Sequence, residues 1–594
     1  MEDAGEHPTP APTVGIGGLV AGCAAAALIW DPLTPAACPK RAVGMMVSIV
    51  GSALLLGGAL RRDQKRPEAW SLGTVGFAVL AAWTLLSLAW GNAAGVGEVT
   101  TVVLMAAIAA LTASQSEDRA RRIAATTCAV IGGATTLAVL TQAVVGGQVH
   151  AGHGNANRAG LVLGVTLLPA LGVTLSAWRR RRRGRHALLV LGGAWLVAQL
   201  LAQSHTSWVA VVGGLGVAGL TRGARGPRAP LVIALVPFAI GILAAVGAEP
   251  MASLLPDAIG RALRGRAWLW HCSWDAALGA LPLGAGAGGF TGAYLGAQGT
   301  ALAELSIGAA ARHYHYVQYA HHDALHTFVV AGPVGVLLLL ASLAVTLYDH
   351  VRSGQLWLAG STAALIVAGS GDAALLQPAC AVVAGLLVAA GSRRVAWTRG
   401  APYRWGLLLV GTAWLLTIEA RTWVAERWVT AARDALPQER LAHLRGAVKM
   451  QPSCGRAQFE LGLAWLETGN APGAIAALER ASILSPGPTT LVALGNARVR
   501  GGDPGAAAET YHRAIALHPG SFRAHANLAS VLTTLGRYEM AEQHLDHARS
   551  LYPGHPRLAQ IADRLHRAEH DAATERDPAS LPLLPLWPPR PPAP

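Results

Sequence analysis

The run His313-Tyr-His315-Tyr-Val-Gln-Tyr-Ala-His321-His322-Asp323-Ala-Leu-His326 places five histidines within fourteen residues. Imidazole nitrogens at such spacing suit three kinds of work. His322 and His326, four apart, would share one helix face and could ligate a metal with His313 and His315, yet no carboxylate motif of the zincin type accompanies them, so no metal site is assigned. A single histidine can also act as general base near neutral pH, and histidines alternating with tyrosines can anchor a loop at a lipid headgroup boundary. Two further stretches precede the run: Arg266-Ala-Trp268-Leu-Trp270, and Pro282-Leu-Gly284-Ala-Gly286-Ala-Gly288-Gly289-Phe290. A guanidinium such as that of Arg266 makes paired contacts to phosphate oxygens. The glycines look like a phosphate-cradling loop, but no strand precedes them and no Lys-Ser or Lys-Thr follows, so neither a nucleotide nor any other cofactor is expected.

The elements that must position these residues are apolar. Of 594 residues, 52% are hydrophobic and 13% charged, about half the charge of an ordinary soluble domain. Apolar segments at about 13–30, 42–60, 71–90, 99–113, 123–145, 159–178, 187–203, 207–220, 230–248, 325–348, 356–371, 375–391 and 406–420 read as twelve to thirteen transmembrane helices, against a hydrocarbon core of ~30 Å. Eighteen tryptophans, twice the nine tyrosines, suit membrane–water boundaries. Net charge is +14, and the basic residues collect at 61–66, 119–122, 179–185, 222–228, 352 and 393–404, whereas the intervening short loops hold only Lys40, Arg41 and Arg158. By the positive-inside tendency the basic loops and the N-terminus face the cytoplasm. Lys40 and Arg41 after the first span are a local conflict. The arginine run 179–183 is then a topology signal, and no nucleic-acid partner is expected. The acidic, proline-rich start MEDAGEHPTPAP predicts no cleavable signal peptide. The six cysteines show neither C-x-x-C pairs nor zinc-finger spacing, so no disulfide framework is predicted.

One outward loop is long, about 249–324, and long loops in compact proteins tend to be functional. Within it Trp270, Trp274 and Leu278 recur every four residues, predicting a helix with one apolar face for packing or anchoring. After residue 420 long apolar runs cease and a repeat appears. Leu461, Gly462, Gly469, Ala474, Leu478, Ala481 and Pro486 are echoed by Leu494, Gly495, Gly502, Ala507, Tyr511, Ala514 and Pro519, then by Leu528, Ala529, Gly536, Ala541, Leu545, Ala548 and Pro553. This resembles the tetratricopeptide repeat, with three full helical hairpins and a degenerate leading one over about 425–556. The predicted fold class is therefore all-α: a polytopic membrane domain at 1–420, a tetratricopeptide solenoid at 421–570 on the periplasmic side, and a proline-rich disordered tail at 571–594.

The order Arg266…Trp270, Pro282…Phe290, Ala320-His321-His322-Asp323, then Gly332-Pro-Val-Gly335 entering a span resembles the O-antigen ligase and polymerase superfamily of membrane glycan transferases. His153-Gly-Asn155-Ala-Asn157-Arg158 resembles that family's Asn-x-Asn stretch. Two departures stand out: His322 replaces the asparagine usual after the histidine, and Ser204-His205 replaces Ser-Arg. The resemblance implies glycan transfer from a polyprenyl-diphosphate carrier to an acceptor hydroxyl at the outer face of the bacterial inner membrane, without metal. It implies His321 as general base, with Asp323 or a backbone carbonyl fixing its tautomer, and Arg266 on the diphosphate. Substrate binding falls to Asn155, Asn157, Arg158, His205, Arg264, His322 and Asp323, with His205, Arg264, Arg261 or Arg158 standing in for the missing arginine. The acceptor is a lipid, a growing glycan or a protein hydroxyl, and the repeat array favours a protein partner. Two readings of another class compete. A transporter would carry ionisable residues inside its spans, and these spans have few. A non-catalytic scaffold displaying the repeats would need far fewer spans.

Overall fold

A computed structural model describes residues 37–60, 69–145, 156–179, 185–223, 228–233, 235–236, 257–396 and 403–570. The expected span at 13–30, most of that at 230–248, and the tail 571–594 lie outside the described residues. In chain order the elements are α1 (Ala37–Leu60), β1 (Ala69–Ser71), α2 (Leu72–Leu86), α3 (Val96–Ala113), α4 (Glu117–Val145), α5 (Ala156–Arg179), α6 (Arg185–Leu201), α7 (His205–Gly223), α8 (Asp257–Gly279), α9 (Phe290–Ala303), α10 (Ile307–His313), α11 (Asp323–Arg352), α12 (Leu356–Gly369), α13 (Pro378–Ala389) and β2 (Arg394–Ala396). Then follow α14 (Tyr403–Ala431), α15 (Pro437–Met450), α16 (Gly455–Glu467), α17 (Ala471–Leu484), α18 (Pro488–Arg500), α19 (Pro504–Leu517), α20 (Phe522–Thr534), α21 (Tyr538–Leu551) and α22 (Pro556–His570). The two short strands, antiparallel with Trp70 opposite Val395, are the one departure from an all-helical chain among the described residues. The chain divides into two compact units: Met1–Ala89, Val96–Ala267 and Ala320–Trp423; and Trp90–Gly95, Trp268–Tyr319 and Val424–Pro594.

In the first unit α12 and α13 are apolar on every side and buried almost throughout, the pattern of central helices rather than surface ones. α12 packs on α5 and α7, and α13 on α3. Small residues let the backbones close up. A Cβ on Gly214 of α7 would lie 2.6 Å from the Gly360 carbonyl of α12, and one on Gly360 would lie 2.8 Å from that of Gly214. Ser361 donates to the Val165 carbonyl at 2.7 Å, a direct helix-to-helix bond. Among the described residues, five stretches are long and apolar enough to cross a membrane: Leu72–Ala89, Ala93–Ala113, Glu117–Val145, Asp323–Arg352 and Tyr403–Ala431. The expected spans at 356–371 and 375–391 form only Leu356–Gly369 and Pro378–Ala389, about 21 and 18 Å of helix, because residues 370–377 leave the helix between them. In α11 Gly332 adopts φ 65° ahead of Pro333, breaking the helix where the sequence predicts a continuous one, and the Ala331 carbonyl there accepts a 2.8 Å bond from the Trp83 indole.

In the second unit α16–α17, α18–α19 and α20–α21 are the three predicted hairpins. Each turns through a glycine with positive φ: Gly469 (80°), Gly502 (82°) and Gly536 (73°). α15 with the last turns of α14 makes the leading pair through Ala425, Val429, Leu444 and Ala447, and α22 closes the end through Leu558, Ile561 and Leu565. Within a hairpin a small residue receives a large one: a Cβ on Gly462 would meet Leu478 at 2.5 Å, and one on Gly495 would meet Tyr511 at 2.4 Å. Residues 268–319, expected to be a loop beside the membrane, pack within this same unit. α9 lies on α19 and α10 on α21, Tyr314 stacks on His518 with centroids 3.9 Å apart, and a Cβ on Gly299 would lie 2.2 Å from the Ala516 carbonyl. The predicted Trp stripe of α8 splits: Trp270 is buried, whereas Trp274 and Leu278 are about half exposed.

Candidate functional site

The first unit gathers polar side chains from the ends of several helices. Asn157 is the second residue of α5, Ser204 precedes α7, Thr206 is its second residue, Arg266 projects from α8, His321 lies two residues before α11, and Asp372 sits in the break between α12 and α13. Three helices therefore begin here, and their N-termini carry partial positive charge. The 370–377 segment approaches because it is glycine-flanked: a Cβ on Gly369 would lie 2.4 Å from an Asp323 carboxylate oxygen, and one on Gly371 would lie 2.9 Å from Thr206 Cγ2.

His321 Nδ1 donates to Asp372 Oδ1 at 2.8 Å. With Nδ1 as the donor, Nε2 is the nitrogen that carries the ring's lone pair. The other carboxylate oxygen of Asp372 accepts from Asn157 Nδ2, and Ser204 in turn donates to Asn157 Oδ1. Asp372 is nearly buried while the His321 side chain is 38% exposed, so the orienting acid is sheltered and the histidine is reachable. Burial alone would raise the Asp372 pKa, but the hydrogen bond and charge of His321, the Ala373 N–H and the Arg266 guanidinium together hold it below the usual carboxylate value. Arg266 donates to Thr206 Oγ1 at 3.3 Å. His321 has φ 49°, a left-handed conformation uncommon for a residue with a side chain and frequent at functional sites.

Asp323 does not orient His321, which corrects that part of the sequence expectation: both its carboxylate oxygens accept from the Leu375 N–H, at 3.1 and 3.0 Å, tying the 370–377 segment to the start of α11. His322 caps α11 by accepting from the Leu325 N–H at 3.3 Å, and burial lowers its pKa to about 4. His205 is exposed at the first position of α7; its neighbour Thr206, not His205, touches Arg266. Arg158 is half-buried and acts electrostatically on Lys40. Asn155 and the side chains of Arg261 and Arg264 lie outside the described residues. Of the remaining histidines, His326 pairs with Glu98 at 3.4 Å, His313 Nδ1 bonds the Ala309 carbonyl at 2.9 Å, and the His315 backbone exchanges two bonds with the Gln298 side chain. Asp372, Ser204 and Thr206 were not expected; a lone acid within an otherwise apolar 356–391 is the signal that marks Asp372.

The second unit supplies the comparison that decides its kind. Residues 441–487 and 492–556 match the tetratricopeptide repeat family model. The C-terminal region is a tetratricopeptide repeat array. No curated protein matches the chain. Two crystal structures of MamA are similar at 19% identity, one covering 25% of this chain and 92% of that chain with a TM-score of 0.21, the other 28% and 98% with 0.22. The Cut9–Hcn1 hetero-tetramer of APC/C is similar at 12% identity over 83% of this chain and 95% of that chain, with a TM-score of 0.22. TM-scores this low fall short of a shared overall fold.

Proposed function

We propose that the chain is a membrane glycosyltransferase of the O-antigen ligase kind, moving a glycan from a polyprenyl diphosphate to an acceptor hydroxyl, with the first unit holding the chemistry. The observation that carries this reading is His321 held by Asp372 beside Arg266, where α5, α7 and α11 begin. His321 Nε2 takes the proton of the acceptor hydroxyl, whose oxygen attacks the anomeric carbon. The bond from that carbon to the diphosphate oxygen breaks, and the polyprenyl diphosphate leaves with the charge. Arg266 and the helix N-termini stabilise that charge more as it grows than before it forms. Asp372 keeps the histidine in the productive tautomer, and the proton passes afterwards to water. The apolar stretches long enough to span a bilayer would place the donor, whose diphosphate stays at the headgroup level, in reach of this site, in the inner membrane of a bacterium.

Tetratricopeptide arrays bind proteins through extended surfaces, which favours a protein as acceptor or recruited factor over lipid or glycan. The test is mass spectrometry of glycans, lipids and proteins in a strain lacking the chain, complemented with wild type, His321→Ala or Arg266→Ala. One glycoconjugate missing from the deletion strain is expected to return with wild type only, and its acceptor names the substrate class. Full return with either variant removes the catalytic assignment. An unchanged glycome with a lost protein assembly would instead support a non-catalytic scaffold.

A further inference from the structure

The third hairpin of the repeat array holds histidines that the transfer chemistry does not use. His525 comes from α20, and His544 and His547 come from successive turns of α21. Their ligand nitrogens all lie within 4.8 Å of one another, and His525 Nδ1 is 3.0 Å from His544 Nδ1. The other ring nitrogen of His525 faces the Pro519 carbonyl at 2.8 Å. With Nε2–H donating to that carbonyl, Nδ1 keeps its lone pair and points it at His544. This is the outer arrangement by which metal-binding imidazoles are oriented, one nitrogen fixed by a carbonyl and the other left for the ion. Nitrogens about 2.0–2.1 Å from a tetrahedral zinc stand ~3.3 Å apart, so the His525–His544 separation needs only a small adjustment. Exposure rises in steps: His525 is buried, His544 half-buried and His547 exposed, which gives a rigid anchor and a way in from solvent.

We propose that His525, His544 and His547 form a binding site for a divalent transition-metal ion of the zinc class, with water in the fourth position, which fastens α20 to α21. The ion would also stiffen a contact inside the same unit. Gly520, next to the Pro519 carbonyl, abuts Ala311, where a Cβ would come within 2.4 Å of the backbone nitrogen, and α10 rests on α21. A second group, His566, Glu569 and His570, is wholly exposed on α22 alone and lacks such an anchor.

Zinc, and cobalt as a visible-absorbing probe, are titrated into the purified full-length protein. One equivalent is expected to bind, with the d–d absorption of tetrahedral cobalt and a raised melting temperature. His547→Ala changes an exposed position, so it keeps the hairpin folded, and is expected to weaken binding roughly tenfold or more. His544→Gln is expected to abolish the cobalt band. The double variant His566→Ala/His570→Ala is expected to bind as wild type does. No stoichiometric uptake by wild type, wild-type affinity in His547→Ala, or loss of binding only in the α22 double variant overturns the proposal.

Discussion

At the scale of single residues the proposed chemistry turns on Asp372. Its carboxylate accepts from His321 on one oxygen and from Asn157 on the other, so Asp372→Asn keeps the shape but, with one acceptor oxygen, one amide donor and no charge, cannot keep both contacts. Glycan transfer is expected to fall by about 10²-fold, measured as kcat on the native acceptor. The stability consequence has a definite sign. The folded pKa of Asp372 is depressed, so its contribution is fully present above ~3.9, the ordinary aspartate value, and is lost as pH falls through the depressed one. The melting-temperature difference between wild type and Asp372→Asn is therefore expected to shrink only once pH falls below about 4; a difference that vanishes already near pH 6 would contradict the assignment. His321 and Arg266 stand out in the sequence by residue type and order. The link to Asp372 was not legible there, because the orienting acid lies 51 positions downstream, and only the fold brings it to His321. Asp323, adjacent in sequence, was the natural expectation, but its place at the first turn of α11 aims it at the Leu375 N–H instead.

At the scale of elements, hydropathy located most of the described helices and placed the break between α12 and α13 to within two or three residues. The segments 356–371 and 375–391 are apolar enough to read as spans, but Gly369, Gly371 and Pro378 end and restart the helices, and that interruption delivers Asp372. Helix ends of this kind depend on what packs against them, which composition does not encode. Close backbone approach is the other determinant that periodicity hides. Gly214→Val is expected to destabilise the first unit, because its Cβ would meet the Gly360 carbonyl at 2.6 Å and forced overpacking costs about 1–3 kcal/mol. Gly216→Ala, where nothing lies within 4 Å, is expected to be neutral or stabilising by up to about 1 kcal/mol through helix propensity. Thermal melting of the two variants checks both, and equal losses would mean that α7 and α12 do not cross at Gly214. In the repeats the periodicity was fully readable, since Gly469, Gly502 and Gly536 recur at the period of the prolines and each occupies a left-handed turn.

At the scale of the whole molecule the charge of +14 is divided by function. In the sequence the arginine-rich stretches between apolar segments read as topology signals, whereas Arg266 stands beside Asp372 and Thr206. The sequence assigns 268–319 to the membrane domain because it lies between spans; in the structure those residues pack with the repeat array, through α9 on α19 and α10 on α21. Sequence neighbourhood could not reveal this, because the surfaces that receive them, such as Ala516 and Gly520, are small residues that look like ordinary repeat positions. The central claim is that the first unit cleaves a polyprenyl-diphosphate–glycan bond using His321. Purified full-length protein in lipid nanodiscs, given a polyprenyl-diphosphate-linked oligosaccharide and its acceptor, should release free polyprenyl diphosphate detectable by mass spectrometry. Wild type is expected to release it, and His321→Ala at a rate at least about 10²-fold lower at equal donor binding; release by His321→Ala at the wild-type rate would exclude His321 as the general base.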